Sequence, residues 1–260
     1  MKASARIATP PAACGGTGAA LTVALCLVFA VCAARADPPA GSVRAADAGA
    51  LVATLSDFKT LSRWAYPQAA ADVHRDPSER SPVIARLQFL TSDGQAQVYL
   101  TLRSYTIGSV TWISVSVPGR PNGRSGWVPA EALGEMHVSD EYLRVNRRTL
   151  RATLYRGGRP IWGAPVGVGR PGLPTPAGRF YVTEKLAAMG GAFYGPYALG
   201  TSAYAPTLSD WPGGGVVGIH GTDEPELIPG RPSHGCMRLR NADITRLWPL
   251  IRVGTPIEIV

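Results

Sequence analysis

The chain has 260 residues, of which 45% are hydrophobic, so it is long enough for one large globular domain or two small ones. Only 17% of the residues are charged and the formal net charge is +8, which is a modest basic excess rather than a polybasic run. No cluster of Lys and Arg is interleaved with aromatic residues, so the sequence gives no reason to expect nucleic-acid binding, and the charge suits any anionic partner.

The first 36 residues have the pattern of an export signal, with Lys2 and Arg6 ahead of an apolar run over 19–34. The segment Ala34-Arg35-Ala36 has the small-x-small form of a cleavage site, which predicts a mature chain that begins at Asp37. The apolar run is shorter than the roughly 20 residues that cross a bilayer, and an uncleaved membrane anchor is the alternative. We therefore expect an exported protein of the periplasm or cell wall.

Cleavage of this signal would remove three of the four cysteines, Cys14, Cys26 and Cys32, and leave Cys236 alone. In an oxidising compartment a single cysteine has no internal disulfide partner. The alternative is a buried, inert cysteine that packs as a small hydrophobic residue. The polar, glycine-rich flanks of Cys236 and the nearby His234 favour a reactive thiol.

Residues 37–62 begin with a linker rich in proline, glycine and alanine. The apolar residues that follow have a spacing that would place them on one side of a short helix, namely Leu51, Val52, Leu55, Phe58 and Leu61. We expect this helix to pack against a neighbouring domain.

Residues 63–135 carry short β-rich runs that are separated by glycine and proline turns. Strands are predicted at 83–87, 97–102, 111–117 and 126–129. The segments Trp112-Ile113-Ser114-Val115 and Gly126-Trp127-Val128 resemble the end of a bacterial Src-homology-3-like domain, a small β-barrel whose members often bind wall peptides or glycans. The alternatives are a spacer that packs on the next domain and, for the two tryptophans, a place in the core rather than on a ligand.

From residue 136 to residue 260 the pattern is again one of strands, including a hairpin over 142–155 that turns at Asn146-Arg147-Arg148. A further strand is predicted at 161–168 and a last one at 256–260. One short helix should begin at Asn241, which we expect to cap it, and should end at Pro249. Its buried face would consist of Ile244, Leu247, Trp248 and Ile251. The chain is therefore predicted to be all-β.

The densest group of chemically useful residues lies in two segments, Gly218-Ile219-His220-Gly221-Thr222 and Ser233-His234-Gly235-Cys236-Met237-Arg238. A thiolate is the attacking form of cysteine, and a neighbouring imidazole raises its population. The glycine beside Cys236 allows successive backbone N–H groups to point at one spot, where they could hold an oxyanion. On a strand, His234 would share a face with Cys236 without being sure to touch it.

These two segments resemble the signature of the L,D-transpeptidase (YkuD) family, in which a His-Gly pair precedes Ser-His-Gly-Cys-x-Arg. Asn241 and Asp243 also look like family positions, and so does the segment Pro174-Thr175-Pro176-Ala177-Gly178-Arg179-Phe180. The resemblance implies a β-sandwich catalytic domain over 136–260, behind the Src-homology-3-like domain. It further implies an acyltransferase of cell wall biogenesis.

The resemblance also implies roles for the matching residues. Cys236 would be the nucleophile and His220 the general acid/base, with His234 supporting the geometry of the site. The backbone N–H groups of Gly235 and Cys236 would form the oxyanion hole. A lid is implied over 186–214, although this glycine- and aromatic-rich stretch could also be an ordinary packed loop. We expect substrate contacts from Arg238, Ser233, Gly221, Tyr194 and Tyr204, with Arg238 either pairing with a substrate carboxylate or fixing its loop.

The implied partners are peptidoglycan stem peptides, and no cofactor is implied. The enzyme would cleave a donor tetrapeptide before its terminal D-alanine, hold the acyl group on Cys236 and pass it to an amine of an acceptor stem, joining two third-position residues. Water as acceptor would make it a carboxypeptidase, and a protein acceptor would attach that protein to the wall. Acylation by carbapenems is a further implied property.

Three rival hypotheses come from the same residues. A zinc site could use His220, His234 and Cys236, although paired ligands such as Cys-x-x-Cys are missing, and we expect no metal. In a cysteine-histidine wall endopeptidase the histidine follows the cysteine, whereas no histidine follows Cys236 here. In a non-catalytic wall-binding protein, the small β-barrel would carry the function.

Overall fold

A computed structural model of the chain describes residues 49–187, 192–208 and 212–260. The export signal predicted over 1–36 and the linker up to residue 48 lie outside the described residues. Within the described ranges, no helix has both the length and the apolar character needed to cross a membrane. All described residues belong to one compact unit, 43–260, in which two β-sheets follow each other along the chain.

The first sheet has eight strands, in the order β4-β3-β7-β6-β5-β2-β8, with β1 paired to β5. The strands predicted at 83–87, 111–117 and 126–129 are confirmed by β4, β6 and β7, and the one predicted at 97–102 overlaps β5. The bounds are β1 (Leu51–Thr54), β2 (Ser62–Ala65), β3 (Asp72–His74), β4 (Val83–Arg86), β5 (Tyr99–Ile107), β6 (Val110–Ser116), β7 (Ser125–Pro129) and β8 (His137–Ser139).

The helix predicted within 37–62 is wrong, because strand β1 occupies its first turn and pairs antiparallel with β5. Leu51 is 73% exposed, so the apolar spacing does not mark a buried helical face. Asp57 ends any helical path, since its carboxylate accepts the backbone N–H groups of Lys59 at 2.7 Å and Thr60 at 2.8 Å. Phe58 has a positive φ of 67°, which a right-handed helix cannot contain.

The second sheet has ten strands, in the order β11-β10-β9-β18-β13-β14-β15-β17-β12-β16. Its single α-helix within the described residues is α1 (Asn241–Leu247). The bounds of the strands are β9 (Glu141–Asn146), β10 (Arg151–Arg156), β11 (Arg159–Pro165), β12 (Gly167–Gly169), β13 (Gly178–Ala187), β14 (Tyr197–Thr201), β15 (Ile219–His220), β16 (Gly230–Ser233), β17 (Met237–Arg238) and β18 (Pro256–Ile259).

Strand β13 connects the two halves of this second sheet. Its residues 178–181 pair antiparallel with β18, whereas its residues 182–187 pair with β14. Both halves contribute side chains to one apolar core, for example Leu143 and Leu154 from one half and Leu199 and Met237 from the other. The chain is nearly all-β, and the predicted β-sandwich is confirmed.

The predicted C-terminal helix is present, and Ile244, Leu247 and Ile251 are buried as expected. The expectation that Asn241 caps it is wrong. Arg240 is the N-cap residue, and Asn241 is the first helical residue, whose side-chain oxygen accepts the backbone N–H of Thr222 at 2.9 Å. Asn241 therefore ties the helix to the segment that follows β15.

A small apolar cluster joins the two sheets. Tyr181 of β13 is fully buried against Val98 and Leu100, and its hydroxyl donates to the carbonyl of Val98 at 3.0 Å. Trp64 of β2 packs over Gly254, where an added Cβ would lie 2.2 Å from the Trp64 ring. The first sheet is therefore anchored to the second by directed packing as well as by the chain itself.

The sequence left two roles open for Trp112 and Trp127, stacking on a ligand or packing in the core. Both lie in the core of the first sheet. Trp112 and Trp127 are each 5% exposed and cluster with Tyr105. Their rings are therefore not available to a sugar or a peptide at the surface.

The packing of Trp64 on Gly254 predicts a stability effect. We expect Gly254→Ala to lower the free energy of unfolding by about 2 kcal/mol or more, because the methyl group would collide with the ring and the residue has a positive φ of 78°. Gly158→Ala is the matched control, since Gly158 has a φ of 77° and open space around it. Urea denaturation measures both, and equal losses would contradict the packing role.

Candidate active site

The pairing of two short strands brings the two segments of the sequence motif together. Strands β15 and β17 lie parallel, with Ile219 opposite Met237 and His220 opposite Arg238. Cys236 directly precedes β17, so its side chain and that of His220 line the same cavity, of about 280 Å³. The structure thus brings together the predicted nucleophile and its predicted base.

The loop that carries Cys236 is held by its own hydroxyl and carbonyl groups. The Ser233 hydroxyl donates to the carbonyl of Cys236 at 2.6 Å, and it accepts the N–H of Gly235 at 3.1 Å. Thr175 donates to the carbonyl of Gly235 at 2.7 Å and accepts the N–H of Gly169 at 2.8 Å. Gly235 itself has a φ of 130°, a conformation that favours glycine.

These contacts bear on two of the predicted roles. Ser233 is buried and fixes the turn, and its predicted contact with substrate stays a prediction. The N–H of Gly235 is donated to the Ser233 hydroxyl, a contact that holds the loop and does not support its predicted place in the oxyanion hole. Of the two predicted backbone donors, Cys236 is the one that this network does not engage.

His220 is buried and its tautomer is set by a backbone contact. Its Nδ1 lies 2.6 Å from the carbonyl oxygen of Gly221, and because a carbonyl can only accept, Nδ1 carries the proton. In the neutral ring Nε2 is then the acceptor. Burial lowers the pKa of His220 to about 4, against a smaller raising effect of the Gly221 carbonyl. His220 is therefore neutral at physiological pH and able to take a proton.

Cys236 is the free cysteine of the described residues. Burial raises the pKa of its thiol, while the N–H of Gly218, 3.4 Å from Sγ, and the charge of Arg238 lower it by less. The resting site therefore holds a neutral thiol and a neutral imidazole. Such a pair works by general base catalysis, in which the proton moves as the thiol attacks.

Arg238 is buried and has partners within the chain. Its Nη1 donates to Glu224 at 2.7 Å, and its guanidinium lies over the Phe193 ring at 4.7 Å from the centroid. These contacts tie β17 to the segment after β15 and to the residues beside Tyr194. Of the two roles left open for Arg238, fixing its loop is the one that its contacts support.

Gly221 has a packing role. An added Cβ at Gly221 would lie 2.2 Å from Oδ1 of Asn241 and 2.9 Å from Cα of Gly195. The absence of side chains at both glycines lets the three segments meet beside His220. These surroundings show a packing role for Gly221, and its predicted contact with substrate stays a prediction.

The lining of the cavity separates the remaining predicted residues. Tyr194 lines it, with its ring edge-on to His220 at 4.9 Å between centroids. His234 and Tyr204 do not belong to its lining among the described residues. Tyr204 instead lies under the guanidinium of Arg120, 5.3 Å from the ring centroid, and lines a different cavity with residues of the first sheet. The substrate contact predicted for Tyr204 therefore stays a prediction, and it is not supported by the lining of the cysteine cavity.

The first sheet holds the stretch that was predicted as a lid. Asn122 exchanges two hydrogen bonds with the backbone of Tyr204, at 2.7 and 2.9 Å. The guanidinium of Arg120 donates to three backbone carbonyls of the stretch, at 3.0, 2.8 and 2.6 Å, namely those of Ala205, Gly214 and Leu208. The loop between β6 and β7 is therefore a brace for this side of the site.

Two acidic residues of the cavity were missed from the sequence, Glu184 of β13 and Asp93 of the first sheet. Glu184 carried a signal, because an acid in the middle of a buried strand is unusual. Asp93 carried none, since it lies in a polar turn far away in the chain. For a metal, the described residues offer no group of three His, Cys, Asp or Glu side chains placed to hold an ion.

The protonation states of the pair predict how the thiol reacts. With the 37–260 protein, we expect alkylation of Cys236 by iodoacetamide to accelerate only above the pH range of an ordinary thiol, because its pKa is raised and a neutral His220 cannot stabilise the thiolate. Mass spectrometry between about pH 4 and pH 10 measures the rate. A reactive plateau between about pH 5 and pH 7 would instead show a thiolate–imidazolium pair. His220→Asn, the control, should leave the profile unchanged.

The brace predicts a local effect on stability. In Arg120→Ala we expect amide hydrogen exchange at Ala205 and Val217 to become about tenfold faster or more, because three hydrogen bonds to this stretch are lost. Arg75→Ala, a change of an exposed arginine in the first sheet, is the control. If both variants protect these amides equally well, the stretch does not depend on Arg120.

Comparison with protein families matches residues 140–259 to the YkuD model, the L,D-transpeptidase catalytic domain. A putative L,D-transpeptidase YkuD of Bacillus subtilis is 30% identical over 146 residues, which are 56% of this chain and 74% of that protein. Its Bacillus licheniformis counterpart is 34% identical over 117 residues, which are 45% of this chain.

The chain thus spans 62% of the length of the Bacillus licheniformis relative. Among solved structures, the ertapenem-acylated catalytic domain of the E. faecium L,D-transpeptidase is 27% identical, with a TM-score of 0.36, and the match covers 48% of this chain and 99% of that one. The matched residues 140–259 contain the whole cavity motif from His220 to Arg238. The chain belongs to the L,D-transpeptidase (YkuD) family.

Proposed function

We propose that the chain is an exported peptidoglycan L,D-transpeptidase that joins third-position diamino acids of neighbouring stem peptides. The observation that carries the proposal is one cavity lined by the thiol of Cys236 and by an imidazole whose Nε2 is the free acceptor. An acyl transfer by cysteine needs this pair, and membership of the family supports the substrate class.

The reaction follows from the resting protonation states. Sγ of Cys236 attacks the carbonyl that precedes the terminal D-alanine of the donor, while its proton passes to Nε2 of His220. The tetrahedral intermediate collapses to a thioester, and His220 returns the proton to the departing amino group of D-alanine. The amine of an acceptor stem then attacks the thioester and loses a proton to His220, which restores the thiol of Cys236.

The oxyanion of each tetrahedral intermediate needs donors. We propose the N–H of Cys236 as one of them, because the N–H of Gly235 is already donated to Ser233. In this proposal His234 supports the turn that carries Gly235 and Cys236, and it is not the general base. The buried cavity strengthens such contacts, since water competes less for them.

Residues 63–135, which form most of the first sheet, are proposed to be a Src-homology-3-like module, with two functions open to it. It packs on the catalytic sheet through Tyr181 and braces the predicted lid through Arg120. These contacts favour a structural role, and binding of wall glycan or peptide is the second candidate. Acylation of Cys236 by carbapenems is proposed for this chain from its family.

Incubation of the 37–260 protein with disaccharide-tetrapeptides, followed by mass spectrometry, tests the reaction. We expect release of D-alanine and a cross-linked dimer, both abolished in Cys236→Ala. His220→Ala should be slower by about 100-fold or more, because the general base is lost. His137→Ala is the matched control, since His137 is exposed and lies in the first sheet, and it should retain the wild-type rate.

The products distinguish the alternatives. A tripeptide without a dimer would make the protein an L,D-carboxypeptidase. Retention on wall polymer without any turnover would make it a non-catalytic wall-binding protein. Transfer of a stem to a protein, but not to a second stem, would make it a protein-to-wall attaching enzyme.

A further inference from the structure

Glu184 is a buried acid in the wall of the catalytic cavity. It lies in the middle of β13, is 3% exposed, and lines the cavity together with Cys236 and His220. Its side chain crosses Gly200 of β14, where an added Cβ would lie 2.4 Å from Oε1. The glycine therefore provides the space that the carboxyl group occupies.

The first sheet supplies the other contacts of this carboxyl group. The hydroxyl of Thr91 donates to Oε2 of Glu184 at 2.6 Å. Asp93, two residues further on, places a second carboxyl group beside it in the same cavity. Burial raises the pKa of Glu184 and the neighbouring Asp93 raises it further, while the Thr91 hydrogen bond lowers it. Two carboxyl groups this close do not both ionise readily, so without a cation the pair keeps a proton more easily than an exposed acid does.

The described residues provide no counter-charge for this pair. In the part of the chain that the structure describes, no Lys or Arg forms an ion pair with Glu184 or Asp93, and none lines the cavity. The neighbouring His220 is neutral above about pH 4. A buried carboxylate without a cation is unfavourable, so a cation that enters the cavity is stabilised by both carboxyl groups.

We propose that Glu184, with Asp93, binds a primary ammonium group of the substrate and makes the cavity specific for stems that carry a free amine. This inference rests on the proposed function, in which two such groups occur: the side-chain amine of the donor's diamino acid and the amine of the acceptor. It also gives the segment between β4 and β5 a direct part in the site, because Thr91 holds the carboxyl group of Glu184 and Asp93 lines the cavity.

The test compares wild type with Glu184→Gln and Asp93→Asn, two nearly isosteric changes that remove charge. Lysine and norleucine versions of one tetrapeptide differ only in the amine. We expect wild type to prefer the lysine donor by about tenfold or more in kcat/KM for D-alanine release, and Glu184→Gln to lose that preference, because a charge-assisted contact is lost. Gly200→Ala, which displaces the carboxyl group, should act like Glu184→Gln.

A second arm locates the ammonium group on the acceptor. If the acid pair binds the acceptor amine, Glu184→Gln lowers the ratio of dimer to hydrolysed tripeptide by about tenfold. Glu226→Gln, the same charge change at an exposed position, is the control and should match wild type in both arms. Unchanged donor preference and unchanged product ratio in Glu184→Gln would overturn the proposal.

Equilibrium binding separates this inference from the proposed function. Calorimetry on Cys236→Ala should show the lysine tetrapeptide binding about tenfold more tightly than the norleucine one, with the difference abolished by adding Glu184→Gln. A wild type without turnover that still shows this difference would overturn the transpeptidase and support the ammonium site. Equal affinities for the two peptides, together with normal turnover and an unchanged product ratio, would overturn the ammonium site and support the transpeptidase. Melting temperatures of the variants check that each one is folded.

Discussion

The change of partner along strand β13 is the constraint on which the rest of the structure depends. The strand leaves β18 after Tyr181 and continues beside β14 from Val182. This turns the second sheet back over its own core, and it sends Tyr181 towards the first sheet. Three residues later it places Glu184 in the catalytic cavity. One strand therefore closes the sandwich, docks the first sheet and supplies a wall of the site.

The chemistry of the site follows from burial more than from charge. Removal from water lowers the pKa of His220 and raises that of Cys236, so the resting pair is neutral. The charge of Arg238 lowers both pKa values, but burial has the larger effect on each, and the guanidinium is paired with Glu224 and lies over Phe193. A neutral pair protects a lone thiol from oxidation and becomes nucleophilic as substrate accepts the developing charge. In the proposed ammonium site, negative charge on Glu184 and Asp93 would recognise the substrate, whereas Cys236 and His220 are neutral.

Where the sequence misled, a local contact outweighed the pattern. The apolar spacing over 51–61 suggests a helix, yet Asp57 captures backbone N–H groups and β1 finds a partner in β5. Gly235 and Ser233 match family positions, but the N–H of Gly235 donates to the hydroxyl of Ser233. Tyr204 looks like a lid residue, and it is drawn to Arg120 of the first sheet. In each case a group has a hydrogen-bond or packing partner that the sequence pattern does not show.

The sequence by itself predicted several of the strands, the family and the two candidate catalytic residues that line the cavity. Alternation and turns are local, and the spacing from His220 to Cys236 is part of a motif that the short strands β15 and β17 bring together. Only the tertiary structure decided the acid pair, because Thr91 and Glu184 lie 93 residues apart and meet only where the two sheets pack. Only the structure shows that Tyr194 lines the cavity with Cys236, whereas Tyr204 lies under Arg120. A motif of residues close together in the chain can be recognised in the sequence. A contact between residues from two different sheets can be found only in the folded structure.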